Sequence, residues 1–315
     1  MSVRQRKTTD TTSKTSTSTS STSEKVKDFT KTMKLSFYHE LDEWQQDNHF
    51  IKSGYVRGTN SYKESFLSLF YIHNETGNIY SHLLPSLVII ASILYYINYQ
   101  LEDVKLWEQL NFLQFGLAST FCLLMSSIFH CLKSHSHKVS KFGNRLDYFG
   151  IIILITCSLI SIIMFAFVNE PGIRNTLMLV FLSLGGLCTF FTLDVKFSSP
   201  KYRPIRSTMF ILFGLSGVLP ILVSTREFGW ENTKERSSIN YLILEGVFYI
   251  FGAVLYAMRV PERFTHIEDD ALLGQTVGKF DIWGHSHQIF HVFVVIAAFC
   301  HWKALVNVYI YMRQH

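Results

Sequence analysis

The sequence predicts an all-α membrane protein with seven transmembrane helices, an N-terminus in the cytosol and a C-terminus on the far side. Three observations carry this. Of its 315 residues, 48% are hydrophobic and 17% charged, with a mean hydropathy of +0.18; such values suit a polytopic membrane chain better than a soluble enzyme. Seven apolar segments each approach the roughly 20 residues that cross a bilayer. The basic residues collect in alternate loops, which sets an orientation.

Residues 1–34 begin with a Ser/Thr-rich run, TTDTTSKTSTSTSSTS, that buries no apolar face and is expected to be a disordered cytosolic tail. They contain no apolar core of a signal peptide. Residues 35–78 are polar with interspersed aromatics, Phe37, Tyr38, Trp44, Phe50 and Tyr55. Short helices on the membrane face are expected there, interrupted at Gly54 and Gly58. Residues 79–315 form the membrane domain, with spans at about 80–100, 109–132, 146–168, 173–193, 206–224, 239–260 and 284–310.

Lys133, Lys138, Lys141 and Arg145 follow the second span; Lys196, Lys201, Arg203 and Arg206 follow the fourth. The positive-inside rule places those connections in the cytosol with the N-tail. The net charge of +5 thus reflects topology, and no nucleic-acid partner is expected. The five cysteines sit in or beside apolar runs with no C-x-x-C pair, which reads as reduced thiols.

The candidate site starts at FDIWGHSHQIFHVF, residues 280–293. His287 and His291 are four apart, so on a helix they share a face and suit one metal ion. His287 would lie roughly 9 Å beyond Asp281 at 1.5 Å per residue. At the same expected depth, the second span ends with Ser126 and His130 one turn apart, and the third begins with Asp147. His130, His287 and His291 are the candidate metal ligands; three imidazoles with an open fourth position suit Zn²⁺. Asp147 and Ser126 are the candidate catalytic residues, orienting a water whose pKa the metal lowers to about 7. In a lipid-facing bundle the expected substrate is a membrane lipid amide or ester.

Other polar residues are assigned to lesser roles. His285 faces away from His287, and His135 and His137 read as interfacial. Glu75, Asn78 and His82 share one helical face where the first span begins, and packing or capping is the expected role. Glu245 is expected to snorkel to the interface, and His301 to lie too far along the last span to reach the site.

NETGNIYSHLLP (74–85), SSIFHCLKSHS with RLDYFGI (126–151), and PERF with GKFDIWGHSHQIFH (261–291) together resemble the progestin and adipoQ receptor, or haemolysin-III-type, family. The tail, the 42–55 segment and the GHSHQ wording are most similar to its fungal, adiponectin-receptor-like Izh members. The resemblance covers about residues 35–310. It implies zinc on His130, His287 and His291, a zinc-bound water held by Asp147 and Ser126, ceramidase-type amide hydrolysis, and a place in zinc homeostasis and lipid or sterol metabolism. It also implies a ceramide-like membrane substrate, an extracellular protein ligand, and residence in the endoplasmic reticulum or plasma membrane. The alternative is a non-enzymatic receptor or regulator with a structural zinc. A zinc transporter ranks lower, because no chain of acidic or histidine residues is evident toward the far side. Residues 265–277, THIEDDALLGQTV, depart from the family pattern as an acidic insertion beside the site.

Overall fold

The computed structural model describes residues 35–99, 104–194, 202–265 and 278–315. The Ser/Thr-rich leader and nearly all of the 265–277 insertion lie outside these. Among the described residues, seven helices are long and apolar enough to cross a membrane: Thr76–Tyr95, Leu106–Leu132, His137–Ala166, Pro171–Leu193, Thr208–Phe228, Ile239–Phe264 and Ser286–Gln314.

After a short helix α1 (Tyr62–Leu67), the spans are built from α2 (Thr76–Tyr99), α3 (Leu106–Leu132), α4 (His137–Ala166) and α5 (Pro171–Leu193). The fifth span is two helices, α6 (Arg203–Leu215) and α7 (Val218–Phe228), which break at Ser216 and Gly217. A polar helix α8 (Trp230–Ser237) leads into α9 (Ile239–Met258), and the chain ends in α10 (Ser286–Gln314). The third span starts nine residues before its apolar stretch, because Ser136 accepts a bond from the Val139 amide and caps the helix in the polar loop.

The bundle core lies between α3, α4, α5 and α10, where Phe115, Phe165, Phe181, Ala304 and Leu305 are buried. The periphery is apolar as well: Ile243, Leu244, Val247, Phe251 and Val254 of α9 all point outward, as lipid-facing side chains do. With lipid on the outside, helices gain most from close contact, which small residues allow. Gly150 of α4 is such a residue, since a Cβ there would stand 2.9 Å from the Cys122 Cα of α3.

The 35–78 segment holds short helices, α1 and the one-turn Tyr38–Glu40 and Ser68–Phe70, and also an unexpected strand pair: Leu35–Ser36 (β1) pairs antiparallel with Tyr55–Val56 (β2). Gly54 adopts φ +81°, a left-handed conformation suited to glycine, as the chain enters β2. Long-range bonds pin this cap to the approach to α10. Asp281 accepts from the Lys52 amide at 2.9 Å and the Ser53 hydroxyl at 2.7 Å. Asn48 donates to Glu262 at 3.1 Å, and Arg259 to the Asp47 carbonyl at 2.9 Å. Asp281 is thus a loop anchor. The helix begins only at Ser286, so the expected helical offset from Asp281 to His287 does not exist.

Candidate metal centre

Local structure delivers the two histidines of α10. Gly284, at φ +79°, turns the chain, and His285 enters as the extended residue before the helix. Glu262 then meets the helix start: its carboxylate accepts from the Ser286 amide at 2.7 Å and from the Ser286 hydroxyl. A carboxylate at a helix N-terminus satisfies free amides and complements the helix dipole. His287 follows immediately, with His291 one turn later on the same face.

His130, in the last turn of α3, closes the group. The three rings form a near-equilateral arrangement, with centroids 4.9, 4.9 and 4.8 Å apart and planes close to perpendicular. One nitrogen from each lies within 4.8 Å of the others, so the three could hold a metal ion. Four-coordinate zinc, with bonds of about 2.0–2.1 Å, places ligand nitrogens roughly 3.3 Å apart. Small inward rotations of the side chains span that difference.

Hydrogen bonds fix which nitrogens are free. His130 Nδ1 is 2.7 Å from Glu75 Oε2, and an ionised carboxylate only accepts, so Nδ1 carries the proton. His130 Nε2 then presents a lone pair; it is buried with no hydrogen-bond partner. His291 Nδ1 donates to the Asn78 carbonyl at 3.0 Å, with the Ser81 hydroxyl 3.4 Å away, which leaves its Nε2 as the lone pair. Metal-ligating histidines characteristically donate their second nitrogen in this way. An orphaned buried Nε2 and three converging imidazoles therefore fit a metal of the zinc type.

Glu75 does more than the capping expected of it. It accepts from His130, from Lys133 Nζ at 2.6 Å and from Asn78 Nδ2 at 2.5 Å. Burial alone would raise its pKa, but the Lys133 ammonium and the His130 hydrogen bond outweigh burial and hold the carboxyl well below the usual range. A cavity lined by Trp44, Tyr55, His73, Glu75, His130 and Lys133 adjoins this side of the centre. His82 stacks on the His291 ring at 3.8 Å and bonds its backbone carbonyl, walling the site from α2.

Asp147 and Ser126 come together as well: the Ser126 side chain and His130 are both within interaction reach of the Asp147 carboxylate. Ser126 is buried one turn before His130 on α3. His285 is outside the ligand group, its Nε2 held by the Asn74 carbonyl at 3.0 Å. His135 and His137 pack on Tyr62 and Trp44 at the cap. Glu245 does not snorkel outward; it bonds His301 Nδ1 at 2.9 Å inside the bundle.

Comparison with known proteins agrees with this architecture. Residues 70–302 match the family model described as haemolysin-III related. The chain is 40% identical over 282 residues to ADIPOR-like receptor IZH2 of Saccharomyces cerevisiae, covering 88% of this chain and 84% of the yeast protein. It is 38% identical over 278 residues to the adiponectin receptor protein of Drosophila melanogaster, covering 88% of this chain and 60% of the fly protein. Heptahelical transmembrane protein 1 of Arabidopsis thaliana is 34% identical over 296 residues, with 90% and 85% covered. The chain is an integral, multi-pass, adiponectin-receptor-like membrane protein, and it belongs to the haemolysin-III-related family of progestin and adipoQ receptors.

Proposed function

We propose that the three-histidine centre holds zinc and that the protein is a zinc-dependent hydrolase of lipid amides of the ceramide class, acting on the cytosolic side of the membrane. The observation that carries this is the joint arrangement of two lone-pair Nε2 atoms beside His287 with the Asp147 carboxylate, next to Ser126 and within reach of His130. A purely structural site has no need of Asp147 and Ser126. When bound, zinc supplies Lewis acidity to the amide carbonyl and lowers the pKa of a coordinated water to about 7.

The chain's own groups divide the remaining work. His130, His287 and His291 are the ligands. Glu75 fixes the His130 tautomer, and Asn78 fixes that of His291. Asp147, with Ser126 beside it, accepts a proton from the attacking water and returns it to the departing amine. The acyl chain and sphingoid-type base would lie among the apolar helices. This reading sets the protein in zinc homeostasis and lipid or sterol metabolism, in the endoplasmic reticulum or plasma membrane, with an extracellular protein as activating ligand.

The second reading, a receptor or regulator with structural zinc, is favoured by the way the ligands tie α3 to α10. One preparation separates the two. Metal content and release of sphingoid base from ceramide are measured on purified wild type, Asp147→Asn and His287→Ala. Under the hydrolase reading Asp147→Asn keeps zinc and thermal stability yet loses turnover, while His287→Ala loses zinc. Zinc-loaded wild type without turnover would sink the hydrolase reading.

A further inference from the structure

The cavity between the cap and the metal centre has a volume of about 30 Å³. His130 forms one of its walls, and Ser134 and Ser140, from the α3–α4 connection and the first turn of α4, form others. Water needs about 10–15 Å³ of such space per molecule, so the cavity has room for roughly two.

Its lining is built to hold them. The Glu75 amide donates to His73 Nδ1 at 3.2 Å, so a neutral His73 ring carries its proton on Nε2. That Nε2 is buried and meets no acceptor at hydrogen-bond distance. The Ser68 carbonyl, another wall of the cavity, lies within interaction reach of the ring, a gap that one water bridges. Asn74, next in the chain and also in the lining, has a buried Oδ1 that is likewise unpartnered. Buried polar groups are satisfied by protein or by ordered water, and such a water makes about three bonds. A donor on His73 with acceptors on Ser68 and Asn74 supplies them.

The outer wall is thin. Trp44 and Gln45 line both this cavity and a larger polar pocket of about 430 Å³ that includes Arg57, Ser136 and His137, so the two side chains are the partition between them. Gln45 is tied inward, its Nε2 donating to the Val56 carbonyl at 3.3 Å. Trp44 is held from outside. Its Nε1 donates to Asp42 at 3.2 Å, and its ring stacks on His137 with centroids 5.9 Å apart. Asp42 and His137 are both exposed, so the indole can swing away without breaking a buried bond.

We propose that this cavity is the water inlet of the metal centre: waters bound by His73 and Asn74 resupply the space beside His130, and the Trp44 indole closes the inlet from the outer pocket. As the route of a hydrolytic water the inlet rests on the hydrolase reading, while the passage itself is tested without it.

The test reads Cys131, a buried thiol in the cavity wall, in full-length protein in nanodiscs. A small water-borne thiol reagent, methanethiosulfonate ethylammonium, is added, and labelling of Cys131 is followed by peptide mass spectrometry. Trp44→Ala is expected to label at least tenfold faster than wild type. Ser140→Val, which fills space at another wall, is expected to label at least threefold slower. Comparison with wild type cancels the thiol's own reactivity. Cys122, outside the lining and about 13 Å deeper on α3 at 1.5 Å per residue, should keep its wild-type rate in both variants. Cys131 labelling within twofold of wild type in Trp44→Ala, at unchanged thermal midpoint, overturns the inlet. Equal acceleration of Cys122 overturns it too, since that reports general loosening. If Trp44→Ala does not fold, Ser140→Val decides alone, and an unslowed Cys131 is the refuting result. Metal content is measured on the same samples: protein that takes up no zinc fails the metal reading, while the labelling result stands.

Discussion

Glu75→Gln probes the metal centre without touching a ligand. The carboxylate accepts from His130, Lys133 and Asn78 at 2.7, 2.6 and 2.5 Å. Glutamine is nearly isosteric but has one acceptor oxygen in place of two. If that oxygen faces His130, the tautomer survives, but Lys133 meets an amide NH₂ and the ring loses the basicity an anionic partner lends it. If it faces Lys133, the NH₂ meets His130 Nδ1 and drives the ring proton to Nε2, removing the lone pair that points into the site. Both arrangements weaken the ligand. Loss of the partner that hydrogen-bonds a ligand histidine's other nitrogen typically costs 10–100-fold in metal affinity, or about 1.4–2.7 kcal/mol. The assay is zinc affinity of the purified full-length protein, by competition with a chromogenic chelator, with the thermal midpoint as a control for folding. A dissociation constant within twofold of wild type, at unchanged stability, would refute the assignment of Glu75 as the partner that sets His130.

Three further perturbations test the surroundings. Glu262→Ala strips the α10 start of its acceptor and leaves the Ser286 and Asn48 donors unmet; a loss of about 1–3 kcal/mol is expected in denaturation, with weaker metal binding because His287 is next in the chain. Gly150→Ala would drive a Cβ against Cys122 and is expected to cost about 1–3 kcal/mol, read as a lower thermal midpoint in detergent. His73, buried beneath the cap, has its pKa lowered by burial against the smaller opposing pull of Glu75. Its neutral form is the native one, so its contribution to stability is present above about pH 6.5 and lost as pH falls toward its lower folded value. His73→Gln should flatten the thermal midpoint against pH in that window, and an unchanged profile would count against it.

The spans were legible because lipid imposes length and apolarity on each helix separately. What hydropathy marks, however, is the part of a helix that meets lipid. It missed the polar start of α4, which a serine cap creates in the loop. It also merged α6 and α7 into one span, since a break at Ser216 and Gly217 leaves composition unaltered. In the cap, two-residue strands are too short to show alternation. The pair His287–His291 was legible from helical spacing, and His130 with Ser126 from matching depth. Glu75 was not, because its role depends on which side of α3 the first span lies, and lateral neighbours leave no trace in local spacing. The same reason hid the pairing of Glu245 with His301, 56 residues apart.

The distance in sequence between the ligands constrains how the molecule is made. His130 leaves the ribosome with the second span, whereas His287 and His291 arrive with the last, 157 residues later. Until α10 docks, a nascent chain offers one imidazole, already oriented by Glu75, and a single imidazole holds metal poorly. Binding therefore rewards only the completed bundle, adding RT ln(1 + [metal]/Kd) to its stability, about 2.7 kcal/mol at a hundredfold excess over Kd. Under the zinc reading proposed above, metal supply becomes a checkpoint on biogenesis. Under starvation, chains with all other helices in place would remain without the final clasp and be left to quality-control proteases.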